Sequence, residues 1–151
     1  IKSPKPKGCI ICLIGEGSSE VESLTVWQNE RFIVMINLYP YNPAHLMIAP
    51  RRHVTDIRDL TPREERELNA LQRYMLNILD SLYAPAAYNI GYNMGTKAGA
   101  SIEHLHLHVI PRYPNEIGIA DLIAGKRVLI EDPKKTQERI IREVRRTPFP
   151  L

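Results

Sequence analysis

Five histidines occur in this chain, His45, His53, His104, His106 and His108, and the last three sit in the run His104-Leu-His106-Leu-His108-Val-Ile. Strict alternation is the mark of a half-buried strand. Ile102 to Ile110 is therefore expected to carry the three imidazoles on one face, with neighbours about 6.5–7 Å apart, and Leu105, Leu107 and Val109 on the other. Packing supplies no reason to put three imidazoles there, since Thr, Lys or Glu would solvate equally well. Clustered imidazoles suit two chemistries, metal binding and phosphoryl or acyl transfer. A neutral imidazole near its reference pKa of about 6.5 is a good nucleophile toward phosphorus, and its neighbours can hydrogen-bond the oxygens on which charge builds. The glycine-rich turn upstream, Gly95 to Gly99, would add backbone N–H groups there, and Ser101 a hydroxyl.

The only cysteines, Cys9 and Cys12, form a C-x-x-C pair. With two histidines from elsewhere they make a Cys₂His₂ zinc set; the alternative is a pair of free thiols beside a solvated His53. A redox role would want a thioredoxin-like βαβ pattern, which does not surround the pair. One pair in 151 residues is no secreted disulfide framework, so the default expectation is a cytoplasmic protein. Lys and Arg number 20 against 17 acidic residues, a net charge of +3, too small to argue for a nucleic-acid groove. No stretch approaches the roughly 20 apolar residues of a membrane span.

The elements that must position these side chains follow from local pattern. Leu24 to Trp27 and Arg31 to Asn37 read as strands joined by a hairpin at Asn29-Glu30. A Pro-rich loop from Leu38 to Ala44 leads into a strand, His45 to Ala49, stopped by Pro50. Thr61-Pro62-Arg63-Glu64 combines an N-cap, a first-turn proline and a capping box, and Leu68, Leu71, Met75, Ile78, Leu79 and Leu82 recur at helical spacing to about Tyr83. A further strand is expected over Tyr88 to Asn93, with Pro111 closing the histidine strand and a basic amphipathic helix over Pro133 to Arg146. Residues 1–8 read as a basic flexible tail and 9–151 as a single α+β domain with a mainly antiparallel sheet, one long helix and a short C-terminal helix.

The triad run resembles the defining His-φ-His-φ-His-φ-φ motif of the histidine-triad (HIT) family. The stretch Asn37-Leu-Tyr-Pro-Tyr-Asn-Pro-Ala-His45-Leu-Met-Ile is similar to the family's second signature, and Asn93 to Ser101 to its loop before the triad, so the likeness runs from Cys9 to Arg112. Within the family these stretches look closest to bacterial and archaeal members of the diadenosine-tetraphosphate phosphorylase or hydrolase type. The resemblance implies a HIT-like fold and attack by His106 on the α-phosphorus of an adenine dinucleoside polyphosphate. A nucleotidyl-histidine would form, for water or phosphate to resolve. It further implies that His108 bonds the phosphate, that His45 completes the constellation and that Asn93 and Ser101 orient the nucleophile or assist the leaving group. Asn37, Leu38 and Gly99 would bind substrate, Asn37 through the ribose and Leu38 beside the base. Some bacterial members place a C-x-x-C, a His in a P-x-x-H turn and the first triad His on structural zinc, which maps here to Cys9, Cys12, His53 and His104. Pairing into a homodimer is implied too. One departure is Ala100, where many relatives carry Gln before the Ser. Three other readings stand beside this one: a nucleoside phosphoramidase, a zinc-stabilised nucleotide-binding module without turnover, and a hydrolase using the triad as zinc ligands.

Overall fold

In the computed structural model, residues 8–19, 23–37, 42–100, 102–114 and 131–150 are described. Their strands are β1 (Thr25–Gln28), β2 (Phe32–Ile36), β3 (Leu46–Pro50), β4 (Ala87–Tyr92) and β5 (Leu107–Arg112), in one sheet of order β1-β2-β3-β5-β4. Every pairing is antiparallel. Two helices, α2 (Pro62–Tyr83) and α3 (Pro133–Arg146), and a one-turn-plus helix α1 (Ile10–Gly15) complete the described elements, apart from short 3₁₀ turns at Ile57–Asp59 and Thr96–Ala98. The expected α+β arrangement, an antiparallel sheet with one long helix and a short C-terminal helix, is present.

The sheet is covered on both faces at its centre, and all five residues of β2 and of β3 are buried. On one face Phe32, Val34, Leu46, Ile48, Leu107 and Val109 meet Leu71, Met75 and Leu79 of α2 and Ile140 of α3. On the other, Ile33, Met35, Met47 and Ala49 pack under Ile11 of α1. That second layer explains why β2 and β3 read as unbroken apolar runs rather than alternating ones. Helix α1 was not foreseen, because six residues are too few for a helical period to show.

Helix α2 starts as its capping box dictates: the Glu64 amide donates to Thr61 Oγ1 at 3.1 Å and the Thr61 amide to Glu64 Oε1 at 2.9 Å. The hairpin is held equally locally, since Asn29 Oδ1 accepts from the amides of Arg31 and Phe32 at 2.9 and 2.7 Å. Its tip is then pinned to α2. Buried Glu67 accepts from Asn29 Nδ2 at 2.5 Å and pairs with the Arg31 guanidinium. Glu67→Ala is expected to cost about 1–2 kcal/mol, by removing the acceptor of the half-buried Asn29 amide and unpairing Arg31, and urea denaturation should show this as a lower midpoint at unchanged slope.

The histidine segment departs from expectation. Alternation predicts a strand over Ile102 to Ile110, but β5 runs from Leu107 to Arg112, so His104 and His106 precede it. Their backbone is held by other partners: the Leu105 amide donates to the Val54 carbonyl at 2.7 Å in place of a ladder bond. Pro111 lies within β5 rather than ending it. The ladder to β3 stops at Val109, and on that side the Pro111 carbonyl accepts from Asn42 Nδ2 at 2.8 Å, so its missing N–H interrupts no strand bond. The tail expected over residues 1–8 falls almost wholly outside the described residues, as do Leu38 and Ser101.

Candidate active site and metal centre

Cys9 caps α1 and Cys12 lies one turn on, so both sulfurs point out of the same end of the helix. His53 comes from the turn after β3 and His104 from the segment before β5. Cys9 Sγ lies 3.2 Å from His104 Nδ1, Cys12 Sγ 3.5 Å from the Nδ1 of both histidines, and the two Nδ1 atoms 3.2 Å apart. All four donor atoms lie within 4.8 Å of one another. A tetrahedral ion with bonds of about 2.0–2.1 Å to nitrogen and about 2.3 Å to sulfur sets its ligand atoms roughly 3.3–3.8 Å apart, and these four pairs, at 3.2–3.5 Å, lie close to that spacing.

The protons fit as well. His104 Nε2 donates to the Pro50 carbonyl at 2.6 Å, and a carbonyl can only accept, so Nδ1 turns a lone pair toward the cluster. Burial, reinforced by the hydrogen bond and charge of Cys9, pushes the Cys12 thiol up to about 11. A pair of thiolates is thus disfavoured at neutral pH unless a cation sits between them. The donor set is consistent with a Cys₂His₂ zinc site.

A second constellation adjoins it. Buried His106 donates from Nδ1 to the carbonyl of His104 at 2.7 Å, which leaves the lone pair on Nε2. His108 stands beside it, ring centroids 4.7 Å apart and inclined at 73°. His45 Nε2 lies 2.9 Å from His108 Nδ1, and Asn37 Nδ2 3.3 Å from His45 Nδ1. With the Asn37 amide donating to His45 Nδ1, His45 donates from Nε2 to His108 Nδ1, and the remaining N–H of His108 is on Nε2. Ala44, just before His45, is buried with φ 64°, a left-handed conformation that turns the chain at the point where His45 enters the site.

Burial first, and then the nearby His108 and His106, lower His45 from the ordinary histidine range to about 4. Burial also lowers His108, with His106 adding to it. Both are neutral at physiological pH, as the donor chain requires. The sign of the pH effect follows. Between about 6.5 and 4 the unfolded chain protonates His45 while the fold keeps it neutral, so stability present above pH 6.5 is lost as pH falls to 4. The Tm advantage of wild type over His45→Asn is expected to shrink across that window, by the equivalent of about 3 kcal/mol. A Tm difference that is flat with pH in calorimetry would contradict this.

Residues 18–115 match the model of the HIT domain. The chain belongs to the HIT family. This HIT protein is 37% identical over 131 residues to the AP-4-A phosphorylase of Mycobacterium tuberculosis, an alignment covering 86% of this chain and 67% of that one. It is 31% identical over 103 residues to the asymmetrical bis(5'-nucleosyl)-tetraphosphatase of Schizosaccharomyces pombe, covering 68% of this chain and 57% of the relative. Both relatives are enzymes. Its fold matches that of a Zn-bound histidine triad family protein from Mycobacterium smegmatis with a TM-score of 0.73, at 20% identity and over 91% and 94% of the two chains.

Of the residues the HIT signatures singled out, Asn37, His45, His106 and His108 form one group joined by hydrogen bonds and an edge-to-face ring contact, and Cys9, Cys12, His53 and His104 form the cluster. Asn93 lines a cleft of about 480 Å³ together with Met94, Gly95, Ala100, Thr55, Asp56, Arg58 and residues 102–105. Gly99 is exposed and holds φ 94° at the end of the 3₁₀ turn. Sequence reasoning missed the backbone carbonyls of Pro50 and His104, which set two imidazole tautomers. Carbonyls carry no residue signature, so only the fold could reveal them. It also missed the Asp56–Arg58 ion pair at the cleft rim, because a short charge pair in a turn looks like any solvated one.

Proposed function

We propose that this chain cleaves adenine dinucleoside polyphosphates at the α-phosphorus through a nucleotidyl-His106 intermediate. The observation that carries the reading is the 2.7 Å bond from His106 Nδ1 to the His104 carbonyl, which leaves Nε2 as the nucleophilic atom. Nε2 forms a bond to phosphorus while the bond to the bridging oxygen breaks, and the nucleoside polyphosphate leaves with the electron pair. The positive charge that reaches the ring is shared with Nδ1–H, whose proton the His104 carbonyl already accepts. His108 offers its Nε2–H to a phosphate oxygen, its orientation held by His45. Asn93 and Ser101 are assigned to orienting the nucleophile and assisting the leaving group, and Asn37, Leu38 and Gly99 to substrate. An acceptor oxygen then attacks the phosphorus, and the N–P bond returns its electrons to Nε2.

Inorganic phosphate is the favoured acceptor, because the likeness to the phosphorylase is both stronger and longer than that to the hydrolase. Cys9, Cys12, His53 and His104 are assigned to one zinc ion. With four protein ligands it has no open position for water and serves to tie α1 to the end of β3 and the triad segment. A homodimer remains part of the proposal, supported by β4 lying exposed at the sheet edge. No helix among the described residues is long and apolar enough to cross a membrane.

The test is product analysis with diadenosine tetraphosphate, with and without inorganic phosphate. ADP and ATP appearing only with phosphate are expected. AMP and ATP without it would replace the phosphorylase reading by a hydrolase. No turnover under either condition would overturn the polyphosphate assignment and send the assay to phosphoramidates.

A further inference from the structure

His104 belongs to both constellations. Its Nδ1 faces Cys9, Cys12 and His53, its Nε2 donates to the Pro50 carbonyl at 2.6 Å, and its own carbonyl accepts from His106 Nδ1 at 2.7 Å. A single residue thus separates the metal cluster from the atom that orients the His106 ring. The segment that carries it lies outside β5, so no sheet ladder holds it. Its anchors are the Pro50 and Val54 carbonyls and the cluster itself, and those two carbonyls and His53 all come from residues 50–54. The cluster side of this staple is the sensitive one. The two Nδ1 atoms lie 3.2 Å apart and both turn lone pairs inward when a cation is shared between them; without it they stay together only while His53 carries its proton on Nδ1 and donates to His104, a single hydrogen bond in place of a four-ligand anchor. Any swing of His104 moves its carbonyl, and a hydrogen bond weakens steeply as its angle departs from linear.

We propose that ion occupancy of the Cys9–Cys12–His53–His104 cluster holds the His106 ring in its attacking orientation, with His104 acting as a positioning residue through its backbone carbonyl. The consequence for turnover rests on His106 being the nucleophile; the consequence for the ring does not. The ion takes no part in the reaction itself. Its loss lets the His106 ring leave the single tautomer with Nδ1 protonated, and a displaced attacking nitrogen lowers the rate of the chemical step far more than it weakens substrate binding.

His53 is the ligand to change, because it is exposed and does not touch His106. In His53→Ala, kcat is expected to fall roughly 10- to 100-fold with KM within about twofold of wild type, and His53→Cys, which restores a fourth ligand, should recover most of it. The decisive readout is the ¹⁵N-histidine NMR spectrum, measured well below the Tm. The His106 ring nitrogens should report one Nδ1–H tautomer in the zinc-loaded protein and a mixture in zinc-free His53→Ala. A folded, zinc-free His53→Ala that keeps the wild-type His106 tautomer and kcat would overturn the proposal, since a purely structural ion lowers Tm without altering the ring in molecules that remain folded. Should that variant fail to fold, wild type with cadmium in place of zinc decides the matter. The larger ion displaces His104, so the His106 signals should shift, and unshifted signals would overturn the coupling. A tautomer that follows the ion while His106→Ala still turns over would keep the coupling and refute only the nucleophile.

Discussion

His106→Ala is expected to abolish turnover of diadenosine tetraphosphate, with kcat falling by about 10³-fold or more while zinc content stays at the wild-type level. The size of the loss follows from what is removed. Alanine deletes the atom that bonds to phosphorus, so no covalent intermediate can form, and what remains is binding plus the hydrogen bonds of His108. The contrast lies with His108→Gln, which keeps a donor near the phosphate and should retain more activity than His106→Ala. The pair of variants separates a nucleophile from a charge-stabilising neighbour, measured as kcat under saturating substrate with and without phosphate. Equal losses in the two would mean that the imidazoles act as a unit and that the roles given to them are wrong. Unchanged activity in His106→Ala would leave a nucleotide-binding module or a different nucleophile. Metal content is the control that matters, because the His106 ring donates to the backbone carbonyl of His104, a member of the Cys₂His₂ cluster.

Removing the metal is expected to lower stability nearly as dramatically as His106→Ala lowers the rate. The cluster joins Cys9 and Cys12 of α1 to His104, which lies 95 residues from Cys9 in the chain, and to His53, exposed at the end of β3. An ion bound about a thousandfold below its working concentration adds on the order of 4 kcal/mol to folding, roughly 10–15 °C in Tm for a chain of this size. A strong chelator, or Cys9→Ser, should therefore release about one zinc per chain and lower Tm by that amount in calorimetry. Helix α1 should respond first, because Ile11 covers the second face of the sheet and the helix is too short to stand alone. Zinc loss with an unchanged Tm would show that the four side chains are not a structural site. It would revive the reading in which the triad histidines ligate a catalytic ion.

The elements that follow from near neighbours were legible in the residues alone. Helix α2 begins at its capping box and ends at Tyr83, and α3 spans Pro133–Arg146 as its amphipathic pattern indicated. The hairpin at Asn29-Glu30 turns where the Asn side chain can bond its own backbone. Helix caps, turn chemistry and hydrophobic period act within a few residues, so the chain carries their signal locally. Residue type and motif also sort the histidines and cysteines into two groups. What the tertiary structure decided is where those groups stand and in which protonation form. Alternation indicated a face for His104, His106 and His108, yet β5 begins only at Leu107, because a competing bond to Val54 holds the backbone before it. Likewise, nothing in the spelling of the triad says which imidazole nitrogen carries a proton. The carbonyl of Pro50 sets it for His104, that of His104 for His106, and the Asn37–His45 chain for His108. Residue identity supplies the imidazoles; only the folded backbone brings within 3 Å the carbonyl acceptors that fix which nitrogen of His104 and of His106 keeps its lone pair.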